Sequence, residues 1–192
     1  MIKLVTGNVP SVPEFHPLHP LLLIAKGTRY DSSLMLLYLI GPSGVGKTSC
    51  GRHAAFVFPR ARFESLDDLC KGQEFDWIAC SRALDDLEAA TAPGLTAIID
   101  IGAGTQTRPE LVQYLAARAE NTILLHAPPE EVIRRNPLGP SRDIWEFRRT
   151  EYASRRLLYR VAGHVVDVTG LTIGSARQKF IESLSSNFPL LL

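Results

Sequence analysis

A chain of 192 residues, 45% hydrophobic and 21% charged, has the length and composition of one globular domain with its own core. Its net charge of +1 gives no electrostatic footprint for nucleic acid or an anionic membrane surface, and no apolar run approaches the roughly 20 residues of a membrane span. Cys50, Cys70 and Cys80 form no C-x-x-C pair, which fits a reducing cytoplasm.

Residues 1–30 carry Pro10, Pro13, Pro17 and Pro20 and read as an irregular extension, with at most a short strand over 21–25. That apolar stretch is too short for a secretory leader and lacks a basic start. The domain proper is expected over 31–192. Leu34-Met35-Leu36-Leu37-Tyr38-Leu39-Ile40 is an apolar run of strand length, the pattern of a strand buried on both faces. Gly41-Pro42-Ser43-Gly44-Val45-Gly46-Lys47-Thr48 follows and matches G-x-x-x-x-G-K-[ST], the Walker A pattern, at every fixed position. Residues 48–58 can be helical. Strand, glycine loop and helix together form the context of a phosphate-binding loop. The glycines let backbone N–H groups curl around phosphates, and the helix N-terminus adds the positive end of its dipole. Gly41, Ser43, Gly44, Val45, Gly46, Lys47, Thr48 and Ser49 are thus expected around ATP. Lys47 would reach the β- and γ-phosphates, and the Thr48 hydroxyl would ligate Mg²⁺.

Downstream, strands and helices alternate. Residues 62–65 read as the end of a second strand, and 75–90 as a helix with Trp77, Ile78, Leu84 and Leu87 at helical spacing. Pro93-Gly94 is a turn before a strand over 96–101, which runs into Gly102-Ala103-Gly104. Thr107 and Pro109 read as the N-cap and first turn of the next helix, whose apolar face is Leu111, Val112, Leu115, Ala116 and Ala119. A strand over 121–126 leads to a helix opened by Pro128-Pro129-Glu130-Glu131, with Glu130 and Arg134 spaced as an i,i+4 pair. The run Asn136-Pro137-Leu138-Gly139-Pro140 ends it. Residues 142–160 are largely helical and hold six Arg against Asp143, Glu146 and Glu151. A last strand over 165–168 precedes a helix with Ala176, Phe180, Ile181 and Leu184 on its apolar face. The alternation specifies an α/β fold of three layers, a parallel sheet covered by helices on both faces.

Asp100 stands near the C-terminal end of an apolar strand, where open α/β sheets bind ligands. It suits a carboxylate acting on Mg²⁺ through water, or a base for an acceptor hydroxyl. Glu64 and Asp67 compete for that role, and Asp76 is a candidate substrate contact. Arg135, Arg142, Arg148 and Arg149 are candidates for a mobile arginine-rich lid over about 135–149.

The loop, the Gly102-Ala103-Gly104 turn, the arginine-rich segment and the C-terminal pattern together resemble the shikimate kinase family, within the nucleoside-monophosphate-kinase-like P-loop kinases. The resemblance spans about residues 34–185. Arg155-Arg156-Leu157-Leu158-Tyr159-Arg160-Val161-Ala162 looks like the family's Arg-x-x-Leu-Tyr segment, Val165-Val166-Asp167-Val168-Thr169 like its last strand, and Ile133-Arg134-Arg135-Asn136-Pro137-Leu138 like the start of its lid. The resemblance implies the P-loop NTPase fold and transfer of the ATP γ-phosphoryl to a small hydroxyl acceptor. It implies that Arg134 or Arg135 approaches adenine or phosphates, that Arg155 faces substrate, and that Gly102 and Gly104 let backbone approach substrate. Two positions depart from the family. Its Asp-x-Asp after the second strand is matched by Phe63-Glu64-Ser65-Leu66, with Asp67 next door. Its carboxylate-binding Arg after a Phe is matched by Phe75-Asp76, and an Asp cannot make the bidentate pair that Arg makes. The expectation is an ATP- and Mg²⁺-dependent small-molecule kinase with an acceptor other than shikimate, cytoplasmic and plausibly monomeric. The alternatives are a nucleotide-binding regulator without transfer activity and a nucleotide kinase.

Overall fold

Five parallel strands form one sheet: β1 Met35–Ile40, β2 Ala61–Ser65, β3 Thr96–Asp100, β4 Thr122–His126 and β5 His164–Asp167, in the order β2-β3-β1-β4-β5. The computed structural model describes residues 35–70, 77–102, 108–135 and 142–191. The helices are α1 Lys47–Val57, α2 Leu66–Leu69, α3 Trp77–Ala90, α4 Pro109–Ala116, α5 Pro129–Arg134, α6 Arg142–Ser154, α7 Arg156–Tyr159 and α8 Ile173–Asn187. The expectations for residues 1–30, for Asp76 and Gly104, and for the Arg142 and Arg148 side chains lie outside the described residues, as does most of the link between α5 and α6.

The period-2 geometry of a strand divides the core in two. Leu37 and Leu39 of β1 join Ile98, Ile123 and Leu125 under α1 and α8, with Ala54, Phe180 and Leu184. Leu36, Tyr38 and Ile40 point the other way, with Ala97, Ile99 and Leu124, against Leu84 and Leu87 of α3, Leu111 and Leu115 of α4, and Leu158 of α7. Helices therefore cover both faces, as the alternation of elements requires, and the central strands are buried on both sides. A central β1 also puts the loop that follows it between the C-terminal ends of β3 and β4.

Several local readings are corrected. Arg108 is the N-cap of α4, without a side-chain cap bond, and Thr107 falls outside the described residues. Arg134 does not pair with Glu130. Its Nε and Nη2 donate to both oxygens of Glu131 at 2.9 and 2.8 Å, one residue closer, which the short α5 allows. Helix α1 ends at Val57 because Phe58, ahead of Pro59, is extended. The helical stretch after residue 142 is two helices, broken at Arg155 with φ −99° and ψ 4°. The four-residue α2 carries no periodic signal, and its cap is the Ser65 hydroxyl, which accepts from the Asp68 N–H at 3.4 Å.

Candidate functional site

The loop between β1 and α1 is wrapped by three glycines in conformations that L side chains rarely adopt: Gly41 at φ 147°, Gly44 at 83° and Gly46 at 108°. Gly46 is the N-cap of α1, and the first turn of α1 contains no acidic residue. The orphan N–H groups of that turn are therefore left for an anion. Val45, 1% exposed, anchors the loop from below, and Ile173 of α8 packs on Gly46.

Lys47 is 7% exposed and folds back along the loop, its Nζ donating to the carbonyls of Gly41 and Pro42 at 3.1 and 3.3 Å. It lies 4.0 Å from Asp100 Oδ1. Burial holds the ammonium below its ordinary pKa, and the negative charge of Asp100 opposes that shift. Thr48 Oγ1 donates to Asp100 Oδ2 at 2.7 Å. The reason is register: Asp100 pairs across β1 with Leu39, so the end of β3 lies beside the start of the loop. Asp100 Oδ1 is buried and has no hydrogen-bond donor among the described residues. A buried carboxylate oxygen without a donor, beside a hydroxyl at the mouth of a phosphate loop, is a fit for Mg²⁺. Among the described residues no cluster of three or more His, Cys, Asp or Glu stands ready to hold a metal. Thr48 and Asp100 would share the ion with phosphate oxygens and water.

The second carboxylate at the site is Asp67. Ser65 pairs with Asp100 across β2 and β3, so the residues two beyond each strand end meet. The Asp67 carboxylate lies against Gly102 so closely that a Cβ there would stand 2.0 Å from both its oxygens. Only glycine permits this approach. Partial burial raises the Asp67 pKa above its ordinary value, and the charge of Asp100 adds to the shift. Leu66 is fully buried in the core against α3, and the neighbouring carboxylate that reaches Gly102 is that of Asp67. Glu64 does not join this group: its contact is Arg62 Nε at 3.7 Å.

Arg155 is 7% exposed and ion-paired through Nη1 with Glu151 Oε1, itself 5% exposed. The same Glu151 oxygen accepts the Ser43 backbone N–H at 3.2 Å, which ties α6 to the phosphate loop. Arg135 is engaged elsewhere than over the loop. Its Nε donates to Glu131 at 3.0 Å, and its Nη2 donates to the carbonyls of Val168 and Leu171 at 2.7 and 3.1 Å, buttressing the turn after β5.

Two residues escaped the sequence reading. Arg177 of α8 donates from Nε and Nη2 to Ser49 Oγ at 3.0 and 2.7 Å, and with Thr48, Arg52 and His53 it lines an open cleft of about 470 Å³. No local pattern marks it. Glu151 had a signal, the i,i+4 spacing to Arg155. Cys50, in the first turn of α1, is wholly buried, and burial pushes its thiol up to about 11 rather than lowering it. The Cys70 and Cys80 sulfurs lie 2.7 Å apart and are not joined in a disulfide. No helix of the described residues is long and apolar enough to cross a membrane.

No protein-family model matches the chain. A shikimate kinase of Acinetobacter baylyi is 28% identical over 162 residues, which cover 74% of this chain and 86% of that one. The fold is similar to that of a shikimate kinase from Bacteroides thetaiotaomicron, with a TM-score of 0.60 and 20% identity over 79% of this chain and 98% of the other. It is also similar to a shikimate kinase from Acinetobacter baumannii solved with shikimate (TM-score 0.55, 23% identity, 82% and 96% covered). A gluconokinase from Sinorhizobium meliloti gives a TM-score of 0.52 at 15% identity, with 83% and 94% covered. The glycine-wrapped loop, the strand order and these likenesses agree: the chain is similar to shikimate kinases and has the α/β fold of the P-loop kinases.

Proposed function

We propose that this protein is a kinase that transfers the γ-phosphoryl group of ATP to a hydroxyl of a small molecule. One observation carries the reading: Lys47, Thr48, Asp100 and Asp67 converge at the mouth of a phosphate loop. The loop N–H groups, the α1 N-terminus and Lys47 bind and orient the phosphates, and Lys47 offsets charge as the γ-phosphoryl leaves ADP. Thr48 and Asp100 would hold Mg²⁺, which would supply positive charge against the phosphates. Asp67, poised by its raised pKa, accepts the proton of the acceptor hydroxyl as oxygen attacks phosphorus. Gly102 keeps the backbone clear for that approach. Arg155, buried beside Lys47, stabilises charge on the transferred group or the acceptor.

The relatives' names, shikimate kinase and gluconokinase, support a small hydroxylated acceptor. Leu66 in the core and Asp76 in place of an Arg support one other than shikimate. Three cysteines that form no disulfide fit a reducing cytoplasm. The test is ADP release from Mg²⁺·ATP with shikimate, gluconate, other hydroxylated metabolites and nucleoside monophosphates. Acceptor-dependent release with a small alcohol is expected. Transfer to a nucleoside monophosphate alone would make the protein a nucleotide kinase, and ATP binding without release for any acceptor would make it a regulator.

A further inference from the structure

Helix α6 presents Glu151 to a place where a carboxylate is costly. The residue is 5% exposed, and taking an ion that far out of water is unfavourable unless its lone pairs are met. Among the described residues, the Ser43 N–H at 3.2 Å and the Arg155 guanidinium both meet one of its oxygens. Both are groups that bind anions. Ser43 lies within the phosphate loop, whose backbone N–H groups converge on negative charge. Arg155 offers a planar fork of donors suited equally to carboxylate and phosphate. Glu151 and Arg155 also lie within electrostatic reach of Lys47, together with Asp100 and Asp67.

We infer that Glu151 is the phosphate loop's internal counter-anion, a positioning residue that holds the Ser43 N–H and Arg155 in their phosphate-binding arrangement and exchanges places with a nucleotide phosphate. This rests on the nucleotide-binding reading above. A polyphosphate carries several charges to the carboxylate's one, so it wins both partners. Glu151 then leaves the loop, and Arg155 passes from carboxylate to phosphate. The exchange lowers the net affinity for phosphates, because every bound nucleotide displaces a bound anion. In return, the cationic site keeps its shape and the buried guanidinium is never left unpaired.

The sign of the effect separates exchange from simple bracing. Glu151→Gln keeps the shape and removes the charge. The full-length variant is expected to bind Mg²⁺·ATP and tripolyphosphate about tenfold more tightly than wild type, the scale of one charge-assisted hydrogen bond, with adenosine changed less than about twofold. A residue that only braced the loop would weaken all three ligands when removed. The second measurement needs no variant: a crystal structure of the wild-type protein with Mg²⁺ and a non-hydrolysable ATP analogue. Glu151 Oε1 is expected beyond about 3.5 Å from the Ser43 nitrogen, with Arg155 on a phosphate oxygen. Unchanged or weaker triphosphate binding by a folded Glu151→Gln protein, or Glu151 still on Ser43 with nucleotide bound, overturns the exchange and leaves the kinase reading standing. Failure of the wild-type protein to bind ATP overturns both.

Discussion

Replacing Gly102 with Ala tests whether Asp67 is the base. A Cβ on residue 102 would stand 2.0 Å from both Asp67 oxygens and 2.1 Å from its Cγ. Ordinary contact needs about 3.5 Å, so the carboxylate must retreat by roughly 1.5 Å. What it meets is the end of a side chain, not backbone, so a rotamer change suffices, at about 0.5–1.5 kcal/mol. That predicts a melting temperature lower by only about 1–6 °C in a chain of this size. Catalysis is less forgiving, because a shift of about 1 Å in a reacting group costs on the order of 10²-fold, or about 2.7 kcal/mol. The assay is kcat/KM with the acceptor found by ADP release, for Gly102→Ala, Asp67→Asn and the double variant. Each single variant should lose about 10²-fold or more, and the double variant little beyond either, since both remove one group from one position. A second readout needs no acceptor. Asp67 has a raised pKa in the fold, so between 3.8 and that raised value the native state binds more protons than the unfolded state. Stability therefore falls as pH rises through that window, and Asp67→Asn should remove this decline. Wild-type turnover by Gly102→Ala, or losses that multiply in the double variant, would refute the assignment of Asp67.

Lys47→Ala should cut transfer by about 10²–10³-fold or more while the circular dichroism spectrum stays native; full turnover by this variant would sink the kinase reading. Glu131 is held down to about 2, first by hydrogen bonds from Arg134 and then by those from Arg135, against an ordinary 4.5. Its contribution to stability is present above pH 4.5 and is lost as pH falls towards about 2. The stability deficit of Glu131→Gln in urea melts should therefore shrink over that range, and a deficit independent of pH would count against the pairing. Cys70 and Cys80 should be the thiols that a mild two-electron oxidant joins. Peptide mapping should show the loss of two hydrogens between them, absent in Cys70→Ser: the half-buried Cys70 gives the oxidant access and the buried Cys80 sulfur lies 2.7 Å from it, whereas the wholly buried Cys50 stays a thiol. A mixed disulfide at Cys50 would contradict that burial.

The elements were legible because their causes are local. An apolar run of strand length, glycines where the chain needs left-handed backbone, and helical spacing in α3 and α8 are all read within a dozen residues. The phosphate loop was legible for the same reason, since its donors are consecutive backbone groups. Local reading failed at Thr107, because α4 starts at Pro109 and so makes Arg108 its N-cap, and at Glu130, because Arg134 turns to Glu131 at i−3.

The sequence by itself determined the layered α/β fold, the loop and the identity of Lys47 and Thr48. Tertiary structure decided which distant groups join them. Thr48 meets Asp100 across 52 residues, Ser43 meets Glu151 across 108, and Ser49 meets Arg177 across 128. Those meetings follow from the order β2-β3-β1-β4-β5, which no periodicity encodes. The placing of Glu64, Asp67 and Asp100 relative to the loop came from the same source. Parallel register carries Asp100 to the loop and Asp67 to Gly102, while Glu64 is left with Arg62. The physical reason is that a strand's register is set by burying both faces of the whole sheet at once, a condition on the entire core and not on any one segment.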